Sequence, residues 1–134
     1  EFLETFQVTV LGYKTNKFPI FYEGLSDYQI DHAVDSPKEV AGIFKVKKAL
    51  NIEGAILVAN PIQQEHVIAE SEVQGYIDQA KNEGFEKGMP GKNVTPYLLS
   101  RVAQLSNGKT LKANIELLKN NAELACQIAR ELIR

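Results

Sequence analysis

The sequence predicts an α/β fold of the three-layer type, with a partly parallel sheet covered by helices. Gly54-Ala55-Ile56-Leu57-Val58-Ala59 is a short, wholly apolar run closed by Asn60-Pro61. Apolar residues on both faces are the mark of a strand covered on both sides, as in a parallel sheet. A capped amphipathic helix leads into that run across a short link, which makes half of a βαβ unit. Further helical patterns follow it, so the apolar helix faces outnumber the sheet available to cover them. The fold expected from these residues is therefore incomplete.

The elements follow in order. Phe6, Val8 and Val10 alternate with Gln7 and Thr9, the period of a half-buried strand ending near Gly12-Tyr13. Lys14 to Lys17 is polar and turn-like. Phe18-Pro19-Ile20-Phe21-Tyr22 is apolar and aromatic, and Pro19 limits it to an edge strand or an extended segment. Residues 23–34 are mixed and read as loop. Ser36-Pro37-Lys38-Glu39 is a helix start: Ser36 can cap, Pro37 suits the first helical position and Glu39 completes a capping box. Val40, Ile43, Phe44 and Leu50 form one apolar stripe, and Lys45, Lys47 and Lys48 read as its solvated, dipole-favoured end. Gly54 then opens the central strand. Asn60 stands at its carboxyl end, the edge at which open α/β sheets bind ligands.

After Pro61 the pattern is a polar loop or single turn. Val73, Tyr76, Ile77 and Ala80 mark a second amphipathic helix, stopped by Gly84. Gly88-Met89-Pro90-Gly91 reads as loop. Thr95-Pro96 starts a third helix, with Thr95 as its cap and Leu98, Leu99, Val102 and Leu105 buried, and Asn107-Gly108 ends it. Thr110 caps the last helix, whose residues Leu111, Ile115, Leu118, Ala122, Ala125, Ala129 and Leu132 form a continuous apolar seam. Asn114 and Asn121 lie seven apart on one face beside that seam. Pattern alone favours two side chains bonded to nearby backbone. A carboxamide aimed at a ligand is the alternative.

Bulk properties narrow the function classes. A chain of 134 residues, 44% hydrophobic and 24% charged, suits one soluble α/β unit over residues 1–134. The net charge of −2, with acids and bases interspersed, argues against nucleic acid as a partner. No apolar run approaches the roughly 20 residues that span a membrane, and no signal peptide is evident. The lone Cys126 cannot form an internal disulfide, fits a cytoplasmic setting, and reads as a small core residue on a helix. The opening Glu1-Phe2, without Met and close to strand-like sequence, points to a piece of something larger. His32 and His66 belong to no metal-spaced cluster and read as surface or loop histidines. No acid/base pair, nucleophile elbow or phosphate loop emerges, so the residues alone name no reaction and leave open a non-enzymatic α/β domain that binds or assembles.

Six motifs occur in one order: Leu3-Glu4-Thr5-Phe6, Val10-Leu11-Gly12-Tyr13, Val34-Asp35-Ser36-Pro37-Lys38-Glu39-Val40-Ala41, Leu57-Val58-Ala59-Asn60-Pro61-Ile62, Gly91-Lys92-Asn93-Val94-Thr95-Pro96-Tyr97-Leu98-Leu99, and Asn114 through Asn120-Asn121. Together they resemble the carboxyl-terminal part of the pseudouridine-5′-phosphate glycosidase family, also called the indigoidine synthase A family, over Leu3 to Arg134. The resemblance implies a larger α/β glycosidase domain that reversibly cleaves the C–C glycosidic bond of pseudouridine 5′-phosphate to uracil and ribose 5-phosphate. It also implies manganese or another divalent metal, and a homotrimer. The catalytic lysine, glutamate and metal-binding aspartate of the family lie in the missing amino-terminal portion, so this chain contains no catalytic or metal-binding residue of its own and is expected to be inactive alone. One substrate-site asparagine of the last helix corresponds to Asn114, in Thr110-Leu111-Lys112-Ala113-Asn114. Its carboxamide both donates and accepts, which suits the imide edge of uracil. Asn60 is the second expected substrate-binding residue, on the strand-end argument. Asn121 is expected to be structural. Thr9, Ala33 and Ala69 depart from the family pattern and bear on local stability.

Overall fold

Strand β1 (Thr9–Tyr13) lies at the centre of a three-stranded parallel sheet of order β4-β1-β5, flanked by β4 (His32–Val34) and β5 (Ile56–Ala59). The computed structural model describes residues 2–20, 22, 24–86, 88 and 91–133. The mixed α/β class and the parallel sheet match the expectation from sequence. The place of the apolar run does not: β5 pairs with β1 on one edge only among the described strands, and Leu57 is 36% exposed. An apolar run records that a strand is shielded. It does not record which strands lie beside it, so the central place fell to the less apolar β1.

The chain divides into two compact units. The first comprises Glu1–Ile20, Leu25–Pro61 and Leu118–Arg134. It opens with a one-turn helix α1 (Phe2–Thr5), and β1 begins later than the alternation from Phe6 implied. Gln7 takes a left-handed φ of 60°, which breaks the alternation, and Phe6 instead meets the Phe2 ring at 5.0 Å. Pairing along Leu11↔His32 and Leu11↔Val58 sets the register of the sheet. Its packed face carries Leu11 and Val34 against Val40 of helix α2 (Pro37–Ala49), with Tyr13, Ile43, Ile56, Val58 and Ile128 around them. Leu57 belongs to the opposite face by strand alternation.

Residues 23–34, read as loop, contain β3 (Gly24–Gln29), which pairs with β2 (Lys17–Ile20), as well as β4. Neither strand announces itself. The buried positions of β3 are Gly24 and Ser26, whose hydroxyl donates to the Phe18 carbonyl at 2.7 Å, and β4 has three residues, too few for a period. The start of α2 is as expected. Ser36 accepts from the Glu39 N–H, and the Glu39 carboxylate accepts from the Ser36 hydroxyl at 2.8 Å and the Asp35 N–H at 3.1 Å. Those two bonds hold the Glu39 carboxyl below its ordinary range, the backbone bond most. The apolar stripe is narrower than predicted, since Phe44 and Leu50 are exposed. Lys47 is buried rather than solvated, and its ammonium donates to the Gln7 carbonyl at 2.9 Å.

The second unit comprises Phe21–Gly24 and Ile62–Leu117. A 3₁₀ turn (Gln64–His66) precedes helix α3 (Glu70–Glu86), which continues through Gly84. A Cβ at Gly84 would stand 3.2 Å from the Tyr97 ring, so this glycine serves a close helix approach and ends nothing. Of the predicted loop 88–91, residues 89 and 90 lie outside the described residues, and Gly91 opens helix α4 (Gly91–Leu105). Thr95-Pro96 is thus inside α4 and not at its start. The cue misled because proline's fixed φ is itself helical, so Pro96 fits the backbone inside α4 as well as at a start, at the cost of one N–H bond and crowding against the preceding turn. Asn107 and Gly108, with φ of 49° and 81°, end α4 as expected. Helix α5 (Lys109–Ile133) follows. Thr110 is not its cap. It is buried, and its N–H and hydroxyl meet the Ser106 hydroxyl at 3.2 Å and 3.0 Å, so Ser106 fills that role. The core of this unit gathers Ile62, Ile68, Val73 and Ala113.

The predicted seam of α5 is the larger correction. Leu111, Ile115 and Leu118 are 53%, 44% and 60% exposed, and Ala122, Ala125 and Ala129 are exposed too. The buried residues of α5 include Ala113 and Leu124, on a different face. Cys126, expected in the core, is also exposed.

Candidate functional site

The parallel strands β1, β4 and β5 end together, so Tyr13, Val34 and Ala59 define one carboxyl edge. Asn60 stands one residue beyond the Gly12↔Ala59 pair and is half-buried. The chain leaves the sheet here because Pro61 has no N–H for a further ladder bond. Two neighbouring side chains of α5 hold this exit. The Asn60 Nδ2 donates to Asn121 Oδ1 at 2.9 Å, and the Asn120 Nδ2 donates to the Pro61 carbonyl at 3.3 Å. Asn121, expected to be structural, therefore engages one of the two predicted site residues directly. The visible signal was an Asn-Asn pair inside a helix, where asparagine is a weak former. Sequence reasoning missed Asn120.

The other polar groups at the edge are engaged in local contacts. Lys14 takes a left-handed φ of 55°, donates its N–H to the Val34 carbonyl at 2.8 Å, and sets its ammonium 5.4 Å from the Tyr13 ring centre. The Glu39 carboxylate is committed to the first turn of α2. Among the described residues the edge also offers the Asn60 carboxamide, with one N–H engaged by Asn121 and its carbonyl and second N–H remaining.

Asn114, the other predicted substrate residue, is half-buried on α5 in the second unit, next to the buried Ala113. A polar cavity of about 310 Å³ in that unit is lined by Glu65, His66, Glu72, Lys109 and Lys112 among others. Two of its charges, Lys109 and Glu72, are matched to each other. The Lys109 ammonium lies 2.6 Å from Glu72 Oε1, which also accepts from the Tyr76 hydroxyl at 2.8 Å, and the lysine bond above all holds the Glu72 carboxyl low. Elsewhere in the unit Arg101 bonds Glu83 through Nε and Nη2, and this two-pronged contact brings the Glu83 carboxyl down to about 2. His32 is exposed on β4 and His66 lies in the 3₁₀ turn. Among the described residues no three His, Cys, Asp or Glu side chains gather closely enough to hold a metal ion.

Residues 1–131 match the family of indigoidine synthase A-like proteins. The pseudouridine-5′-phosphate glycosidase of Fervidobacterium nodosum is 74% identical over 132 residues, which is 98% of this chain and 45% of that protein. Two solved structures align over 98% of this chain and 43% of theirs. One is an indigoidine synthase A-like protein from Thermotoga maritima, at 34% identity and a TM-score of 0.82. The other is a prealnumycin C-glycosynthase in complex with ribulose 5-phosphate, at 29% identity and a TM-score of 0.85. The chain thus spans somewhat under half the length of the relatives it matches.

Proposed function

The chain belongs to the indigoidine synthase A-like family, and from that premise we propose that it is the carboxyl-terminal portion of a pseudouridine-5′-phosphate glycosidase. The whole enzyme cleaves the C–C bond between uracil and ribose 5-phosphate reversibly, in the cytoplasm, as a homotrimer that uses manganese or another divalent metal. The proton-transfer, Schiff-base and metal-binding residues lie outside residues 1–134. This chain's part is recognition, with Asn60 and Asn114 presenting carboxamides to the substrate. The observation that carries the reading is the 74% identity to a protein of that name across nearly the whole chain. A carboxamide cannot serve as a general base at neutral pH, but it pairs with an imide edge through one donor and one acceptor.

The test uses the full-length protein, assayed with manganese for release of uracil from pseudouridine 5′-phosphate. Asn114→Ala is expected to raise the KM for uracil in the synthesis direction about tenfold, the value of one well-placed hydrogen-bonding group. An unchanged KM removes Asn114 from the site. The prealnumycin C-glycosynthase named above favours a second reading, a different C-glycosidic enzyme of pentose phosphates on the same scaffold. Full-length protein that turns over another C-glycoside but ignores pseudouridine 5′-phosphate decides for it.

A further inference from the structure

We infer that Asn121 is a positioning residue that fixes the carboxamide of Asn60, and that Asn120 and Asn121 together act as a clamp on the end of β5. This rests on the reading of Asn60 as a substrate-binding residue. The geometry matches two segments of the chain residue by residue. Consecutive residues of α5 meet consecutive residues of the strand exit: Asn121 takes the Asn60 side chain at 2.9 Å, and Asn120 takes the Pro61 backbone at 3.3 Å. The second bond sets where the Asn60 Cα stands. The first sets how its amide is turned. An asparagine left to itself rotates readily about its last torsion, because the terminal sp³–sp² torsion is broad and its two ends differ little in size. Here one amide end is named: the nitrogen faces Asn121, which leaves the Oδ1 acceptor and one N–H for a ligand.

That orientation has a chemical use. An imide edge presents an N–H between two carbonyls, and it is met by one acceptor and one adjacent donor. A freely turning amide presents that pair only part of the time and loses rotational freedom on binding. A clamped amide has lost it already. Asn121 is exposed and Asn60 only half-buried, so the bond between them contributes little to burying a core and is poorly explained by stability alone. The ligand class is an imide-bearing nucleobase, and the residue acts on its binding and not on bond cleavage.

The experiment compares full-length Asn121→Leu, Asn121→Asp, Asn60→Ala and the Asn60→Ala/Asn121→Leu pair in the synthesis direction, with uracil and ribose 5-phosphate as probes. Leucine keeps the size and removes the acceptor, whereas aspartate keeps an acceptor for Asn60 Nδ2. Asn121→Leu is expected to raise the KM for uracil about fivefold, to leave the KM for ribose 5-phosphate and kcat within about twofold, and to leave the melting temperature unchanged. Asn121→Asp restores the KM, and the double variant is no worse than Asn60→Ala alone. If Asn60→Ala raises the uracil KM while Asn121→Leu does not, the clamp is overturned and Asn60 keeps its role. If Asn60→Ala changes nothing, both are overturned. A fall in melting temperature with a uniform loss of activity in both Asn121 variants makes the residue merely structural and also overturns the inference.

Discussion

Single side chains in this protein divide into those that hold structure and those left to recognise. Glu83 is of the first kind. Its carboxylate accepts from Arg101 Nε at 2.6 Å and Nη2 at 2.9 Å, with both side chains about a quarter to a third exposed. Its folded value of about 2 lies below the ordinary 4.5, so the stabilisation is fully present above about 4.5 and is lost as pH falls through about 2. Thermal melts of the wild type and Glu83→Gln are therefore expected to differ at pH 7 and to converge near pH 2. A gap that persists at pH 2 contradicts this assignment. Glu39 is held low in the same sense by the Asp35 N–H and the Ser36 hydroxyl, which is why a carboxylate beside the sheet edge is a cap and not a base. Asn60 keeps hydrogen-bonding capacity after its bond to Asn121, and the recognition role proposed for it draws on that surplus.

At the scale of elements, chain crossings rest on close backbone contacts. Gly54 sits at φ 93°, and a Cβ there would lie 2.7 Å from the Gln7 carbonyl, the same oxygen that Lys47 binds. Gly54→Ala is expected to cost at least about 2 kcal/mol, from the left-handed conformation and the backbone clash together, read as a lowered denaturant midpoint. Helix α5 offers a contrast of faces. Leu124→Ala is expected to cost about 2–4 kcal/mol, and Leu118→Lys under about 0.5 kcal/mol, because only the first is buried. Reversed magnitudes contradict the face assignment. The same helix shows what was legible in sequence. Its length and period were, since apolar spacing reports a helix. Its buried face was not, because Leu111, Ile115 and Leu118 satisfy the same spacing while standing exposed. Capping at Ser36 was legible because the box is local chemistry. Strands β3 and β4 were not, because their pairing partners, and not their own side chains, make them strands. In the site, Asn60 could be placed from the strand end, whereas its contact with Asn121 spans 61 positions and no local pattern encodes it.

For the whole molecule, the two compact units hold the family's fold over less than half the length of its relatives. Leu111, Ile115 and Leu118 of α5 and Leu57 of β5 are apolar side chains that stand exposed among the described residues. Among the described residues no helix is long and apolar enough to cross a membrane. The central proposal is that this chain supplies recognition to a pseudouridine-5′-phosphate glycosidase whose bond-breaking groups lie outside residues 1–134. The most direct measurement is uracil release from pseudouridine 5′-phosphate, with manganese, by residues 1–134 alone and by the full-length protein at equal concentration. The account predicts turnover by the full-length protein and none above background by residues 1–134. Turnover by residues 1–134 alone contradicts it.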